Sequence, residues 1–121
     1  MCGIAGAVDL KKRLKIEECL SGMLRTMRRR GPDAMGIKIF DRALLFHTRL
    51  AVVDIKNGTQ PMETKRGGEH YTIVYNGELY NTEEIREKLL ASGETFCGHS
   101  DTEVVLKAYI HWGEDCLSQF N

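Results

Sequence analysis

The chain has 121 residues, of which 42% are apolar and 28% charged, so it is long enough for one globular domain and too ordinary in composition for a disordered one. Lys plus Arg and Asp plus Glu both total 17, which leaves no net charge to draw a polyanion or an anionic membrane. No apolar run approaches the roughly 18 residues of a membrane span, and Met1 to Leu10 holds no basic region followed by a long apolar one.

The first chemically suggestive residue is Cys2. If Met1 is removed, one residue carries both a thiol and a free α-amino group. Such an amine titrates at roughly 7.7–8.0 and can take the thiol proton directly or through a water. The plain alternative is a small apolar residue entering a strand. The other cysteines, Cys19, Cys97 and Cys116, are widely spaced and lack the pairing of zinc sites, so no metal is expected. Reduced thiols and a cytoplasmic location are the expectation.

Gly3 to Asp9 reads as a small-residue strand whose glycines admit a close neighbour. Ile16, Cys19, Leu20, Met23, Leu24 and Met27 fall at helical spacing and predict an amphipathic helix from about Ile16 to Arg29, stopped by Gly31 and Pro32. Arg28-Arg29-Arg30 first suggests a phosphate or RNA site. With no interleaved aromatics and no net positive charge, a basic helix end followed by a rigid Gly-Pro-Asp turn is the better reading, so no nucleic acid is expected. Asp33 in that turn is placed to hold a neighbouring arginine.

Met35 to Phe40 and Ala43 to His47 predict two strands joined at Asp41-Arg42, and Arg49 to Ile55 is a third apolar stretch before the Asn57-Gly58 turn. Arg49 between apolar strands is either a surface arginine or a fork for a carboxylate. Lys65 to Glu69 is a polar, glycine-rich loop tip, and His70 to Tyr75 a strand ending at Asn76-Gly77. Asn-Gly is a common hairpin signal. It also suits an oxyanion hole, with the Asn amide beside a backbone N–H that glycine lets turn outward. Losing one such donor raises a barrier by about 2.7–4 kcal/mol.

Asn81 with Glu84, and Ser100 with Glu103, read as capping boxes. They open helices that end near Gly93 and at Gly113, and a further turn follows from Asp115 to Asn121. Asp101 is either part of that helix cap or a carboxylate for an ammonium group. The fold class expected is one α+β domain without repeats or linkers. A carboxylate fork, an ammonium reader and a thiol beside an oxyanion hole together describe glutamine as ligand.

Met-Cys-Gly-Ile, Arg-Arg-Gly-Pro-Asp, His-Thr-Arg-Leu-Ala-Val-Val-Asp, Gly-Thr-Gln-Pro-Met, Tyr-Asn-Gly-Glu-Leu-Tyr-Asn and Gly-His-Ser-Asp-Thr-Glu occur in this order. Taken together they resemble the N-terminal glutaminase domain of asparagine synthetases, class II glutamine amidotransferases of the N-terminal-nucleophile hydrolase type. The resemblance implies stacked antiparallel sheets with flanking helices. It implies Cys2 as nucleophile and Asn76 and Gly77 as the oxyanion hole. Arg49 would bind the glutamine carboxylate, Glu78 and Asp101 would lie near its amino group, and Val53 and Ile55 would line the pocket. The implied reaction passes through a γ-glutamyl thioester and releases ammonia, which a second domain uses to amidate aspartate activated by ATP and magnesium.

The family's sequence continues past Asn121, so the resemblance implies a partial amidotransferase domain over residues 1–121 without the synthetase domain and without ATP or magnesium of its own. Such a domain needs the synthetase part or a second chain to complete its core, and it exposes apolar surface. A retained Met1 would convert the α-amine to an amide and block the pocket. The competing expectations are an inactive remnant that binds glutamine or a partner, and a papain-like Cys–His pair using His47, His70, His99 or His111, for which no local signature is present.

Overall fold

A computed structural model of the protein describes residues 2–50 and 58–121. Helices and antiparallel sheets are combined in it, in agreement with the α+β expectation. The described residues gather into two compact units. One comprises 2–50, 59–61 and 74–76; the other comprises 58, 62–73 and 77–121.

The first unit is built on a three-stranded sheet, β1 (Gly3–Val8), β2 (Ala34–Ile39) and β3 (Ala43–Arg49), in the order β1-β3-β2. Both pairings are antiparallel, with Gly3 opposite Thr48 and Ala34 opposite Arg49. The short Asp41-Arg42 connection closes with Phe40 N–H donating to the Ala43 carbonyl at 2.8 Å. β3 is central, and its last four residues, Phe46 to Arg49, are all buried. Burial of consecutive residues means that both faces of the sheet are covered at that end, because neighbouring side chains point to opposite faces.

The helix α1 (Ile16–Met27) packs on β1 and β3, and the six residues of its predicted stripe are all partly buried. It ends two residues before Arg29, where a turn leads into Gly31-Pro32. The segment entering it is held by Asp9, whose carboxylate accepts from Lys11 N–H at 3.2 Å and Leu14 N–H at 2.5 Å.

The second unit contains a hairpin of β4 (Met62–Arg66) and β5 (Glu69–Ile73). Gly67 and Gly68, at φ +59° and +83°, form its turn, the backbone signature that a two-residue hairpin requires. The loop tip expected at Lys65 to Glu69 is therefore this turn and its flanks. The strand β4 escaped the sequence reading, since Met62-Glu63-Thr64-Lys65-Arg66 has no second apolar residue to reveal alternation.

The helices α2 (Thr82–Ala91) and α3 (Asp101–Trp112) and a closing 3₁₀-helix (Gly113–Gln119) follow. Leu79, Ile85, Leu89, Val104, Ala108 and Cys116 form their core. Phe96, Val105, Trp112 and Phe120 pack against it. Gly113, at φ +63°, stops α3 where a side chain would be strained.

The expected cap at Ser100 is made, with Glu103 N–H donating to Ser100 Oγ at 3.3 Å. The expected cap at Asn81 is not. Its side chain donates from Nδ2 to the Gln119 carbonyl at 2.8 Å, and its Oδ1 accepts from Asn121 N–H at 3.0 Å. The Asn81 side chain is thus used on residues 119 and 121 instead of on the helix terminus. The apolar stretch expected to run to Ile55 and the Asn57 half of the turn expected beside Gly58 lie outside the described residues.

Candidate active site

The pairing of Gly3 with Thr48 brings the residue before Gly3 to the Arg49–Leu50 end of β3. Cys2 stands there, partly buried. Leu50 N–H donates to Cys2 Sγ at 3.4 Å, and the thiol can donate to the Leu50 carbonyl at 3.7 Å. Arg30 Nε–H donates to the Cys2 carbonyl at 3.3 Å, so one of the three consecutive arginines tethers the N-terminal strand. Gly3 is dictated by packing. A Cβ there would lie 2.6 Å from Met27 Cε and 2.8 Å from Thr48 Oγ1.

Arg49 is buried, and its backbone is gripped by the Gly31-Pro32-Asp33 turn. Asp33 N–H donates to the Arg49 carbonyl at 3.0 Å. A Cβ at Gly31 would come within 2.5 Å of Arg49 N and of the Thr48 carbonyl carbon, so only glycine lets the turn lie this close. The contact that Asp33 makes to the arginine here is thus through its main-chain N–H, a bond that does not depend on the aspartate side chain.

His47 is 1% exposed on the same strand. Its ring donates to the Tyr75 carbonyl, and Nε2 has no partner among the described residues. Burial, and then the Arg49 charge, lower its pKa below the ordinary 6.5, against a smaller opposing effect from the Tyr75 bond. The imidazole is thus neutral at pH 7. Of the other histidines raised for a Cys–His pair, His70, His99 and His111 all belong to the second unit.

Asn76 belongs to the first unit, as do Cys2 and Arg49. It is exposed and follows Tyr75, whose N–H donates to Gln60 Oε1 at 2.6 Å. Gly77 and Glu78 are exposed in the second unit. Asn76-Gly77 does not close a hairpin. It forms a bend between β5 and α2, so the commonest structural use of this dipeptide is not the one found.

Asp101 is the first residue of α3 and is partly buried. The loop before it is held by two buried charges. Glu103 Oε1 accepts from Cys97 N–H at 2.8 Å and its Oε2 from Gly98 N–H at 2.9 Å. Arg86 Nη1–H donates to the Gly98 carbonyl at 3.0 Å, with the guanidinium 4.4 Å over the Phe96 ring. From the sequence Glu103 is legible only as half of a capping box, and Arg86 carries no motif. The available signal was a charged residue set directly beside apolar helix positions, Arg86 after Ile85 and Glu103 before Val104.

The site residues thus divide. Cys2, Arg49 and Asn76 share the first unit, whereas Gly77, Glu78 and Asp101 lie in the second. Met1, Val53 and Ile55 lie outside the described residues.

The Cys2 thiol thus stands at the Arg49–Leu50 end of β3, and the sequence has relatives that bear on what these residues do. A family profile described as a glutamine amidotransferase domain matches residues 1–121, and the chain belongs to that family. Among its relatives, asparagine synthetase 3 (glutamine-hydrolyzing) of Bacillus subtilis is 50% identical over 122 residues, covering 100% of this chain and 20% of that protein. Asparagine synthetase 1 of the same organism is 38% identical over 122 residues, covering 98% and 19%. Asparagine synthetase B of Escherichia coli is 35% identical over 118 residues, covering 97% and 21%. The chain therefore spans about a fifth of the length of these relatives.

Proposed function

We propose that this chain hydrolyses the side-chain amide of glutamine to glutamate and ammonia, with Cys2 as nucleophile. The observation that carries the reading is the Cys2 thiol, set against the Leu50 N–H at the Arg49 end of β3. On this reading Met1 is removed and the α-amine of Cys2 takes the thiol proton. Sulfur attacks the amide carbon, and the carbonyl oxygen becomes an oxyanion received by the Asn76 carboxamide and the Gly77 N–H. The protonated amine returns its proton to the leaving nitrogen, ammonia departs and a γ-glutamyl thioester remains. Water, deprotonated by the same amine, then attacks the thioester and frees glutamate and the thiol.

Arg49 is assigned to the α-carboxylate of glutamine, where a guanidinium fork gives two parallel hydrogen bonds. Asp101 and Glu78 are assigned to its α-ammonium, and Val53 and Ile55 to the pocket wall. The domain is read as an N-terminal-nucleophile hydrolase with stacked sheets, acting in the reducing cytoplasm where a free thiol persists.

The names of its relatives, glutamine-hydrolysing asparagine synthetases, support asparagine synthesis as the use of this ammonia. We infer that it is delivered to a synthetase domain, in the same protein or on a second chain. There aspartate activated by ATP and magnesium would be amidated, while the chemistry of this chain relies on its own side chains.

The test is covalent. A chloroketone analogue of glutamine should modify Cys2 after Met1 removal, glutamine should protect against it, and Cys2→Ala should abolish both modification and ammonia release. Intact mass, N-terminal sequencing and an ammonium assay read these outcomes. Equal modification of Cys19 or Cys97 would refute the assignment. Modification at Cys2 without ammonia release would favour a module that binds glutamine without turning it over.

A further inference from the structure

Tyr75, the residue before Asn76, is held by both of its backbone groups. Its N–H donates to Gln60 Oε1 at 2.6 Å, and its carbonyl accepts from the His47 ring. Each holder is itself fixed within the first unit. His47 lies on the central strand, between Ile4 of β1 and Gly36 of β2. Gln60 lies on Gly36, where an added Cβ would stand 1.7 Å from the Gln60 carbonyl oxygen and 2.9 Å from Pro61 Cδ. The absence of a side chain at Gly36 is therefore what lets Gln60 lie over the sheet and reach Tyr75.

The strand that carries His47 also carries Arg49, and Cys2 bonds to Leu50 immediately beyond it. We propose that His47 and Gln60 are positioning residues, which clamp Tyr75 from its two sides and thereby aim the Asn76 carboxamide. The proposal rests on the reading of Asn76 as an oxyanion donor. Its physical basis is that such a donor acts only if it is in place before the charge forms, and a misplacement of about 1 Å can cost about a hundredfold in rate. A residue tied at both N–H and C=O has little freedom to turn, and the residue after it inherits that direction. The neutral state of the buried imidazole suits the role, because a ring donating to a carbonyl needs one proton and no charge.

The test uses the full chain with Met1 removed and the chloroketone analogue of glutamine, whose ketone oxygen stands where the amide oxygen would. The maximal rate of Cys2 modification reports the aim of the oxyanion donor, and the half-saturating concentration reports binding. His47→Leu should lower the maximal rate by about ten- to a hundredfold and leave the half-saturating concentration within about threefold. His47→Asn, which keeps a donor close to the ring nitrogen's position, should restore most of the rate. Gln60→Leu should act in the same direction as His47→Leu and carries the test if that variant does not fold.

A merely structural role would shift thermal stability and binding together and would not separate Asn from Leu at position 47. The clamp is overturned if folded His47→Leu or Gln60→Leu is modified at the wild-type maximal rate. It is overturned also if the loss lies only in binding, or if His47→Asn does no better than His47→Leu. If wild-type Cys2 is not modified saturably and glutamine gives no protection, the glutaminase reading falls, and the clamp with it.

Discussion

Cys2 and His47 show how one strand end assigns different chemistry to neighbouring side chains. The thiol stands at the mouth of the sheet with a backbone N–H directed at its sulfur. The imidazole is enclosed and kept uncharged by burial and by Arg49. That state has a consequence for stability. In the unfolded chain the ring takes up a proton near its ordinary pKa of 6.5, while in the folded chain it does so only at lower pH. The unfolded state therefore binds more protons in that window. The contribution of His47 is present in full above about pH 6.5 and declines as the pH falls through that value towards the lower folded pKa. Urea denaturation between pH 8 and pH 5 should show wild type losing stability on acidification relative to His47→Asn. A difference between the two that stays constant or grows in favour of wild type at low pH would contradict this.

Helices α2 and α3 combine an apolar core with a polar clamp on one loop. Leu89 and Ile85 are fully buried against Val104 and Ala108, so Leu89→Ala should cost about 2–5 kcal/mol. The check is the midpoint of denaturation, which should fall with little change in slope. A loss below about 1 kcal/mol would show that this core collapses around the deletion. Glu103 and Arg86 have a different use. Together they satisfy both the N–H and the C=O of Gly98, and they fix the loop that leads to Asp101. A buried carboxylate that accepts two N–H groups is costly to truncate, because the donors it leaves behind are unpaired. The charges in this pair of helices thus order the loop that presents a candidate binding residue, while the apolar residues supply the stability.

For the whole molecule, the informative surface is the outer strand of the first unit's sheet. Met35, Ile37 and Ile39 are 59%, 41% and 51% exposed on one face of β2, and among the described residues β2 pairs on one side only, with β3. An apolar strip on an unpaired edge is prone to association. The chain should therefore self-associate with rising concentration, and Ile37→Lys should weaken this, as read by analytical ultracentrifugation. Equal association of the variant and wild type would place the contact elsewhere.

The helices and the family were legible in the residues alone. The stripe from Ile16 to Met27 and the stop at Gly113 are local matters of spacing and backbone freedom, and they lie where the sequence put them. Six ordered motifs pointed to a glutamine amidotransferase, and the family match agrees. Strand β4 was not legible, because Met62 to Arg66 is polar and depends on β5 for its partner. Asn81 was read as a helix cap because the local pattern allows it, yet its side chain bonds residues 119 and 121, some forty positions away. The tether of Arg30 to Cys2, the turn pressed on Arg49, and the hold of His47 and Gln60 on Tyr75 likewise join residues remote in the chain. Residue order determines helix periodicity and chemical type because both are local. Which hydrogen-bonding groups meet, and which charge is buried, depends on non-local packing, and that is settled only when the chain folds.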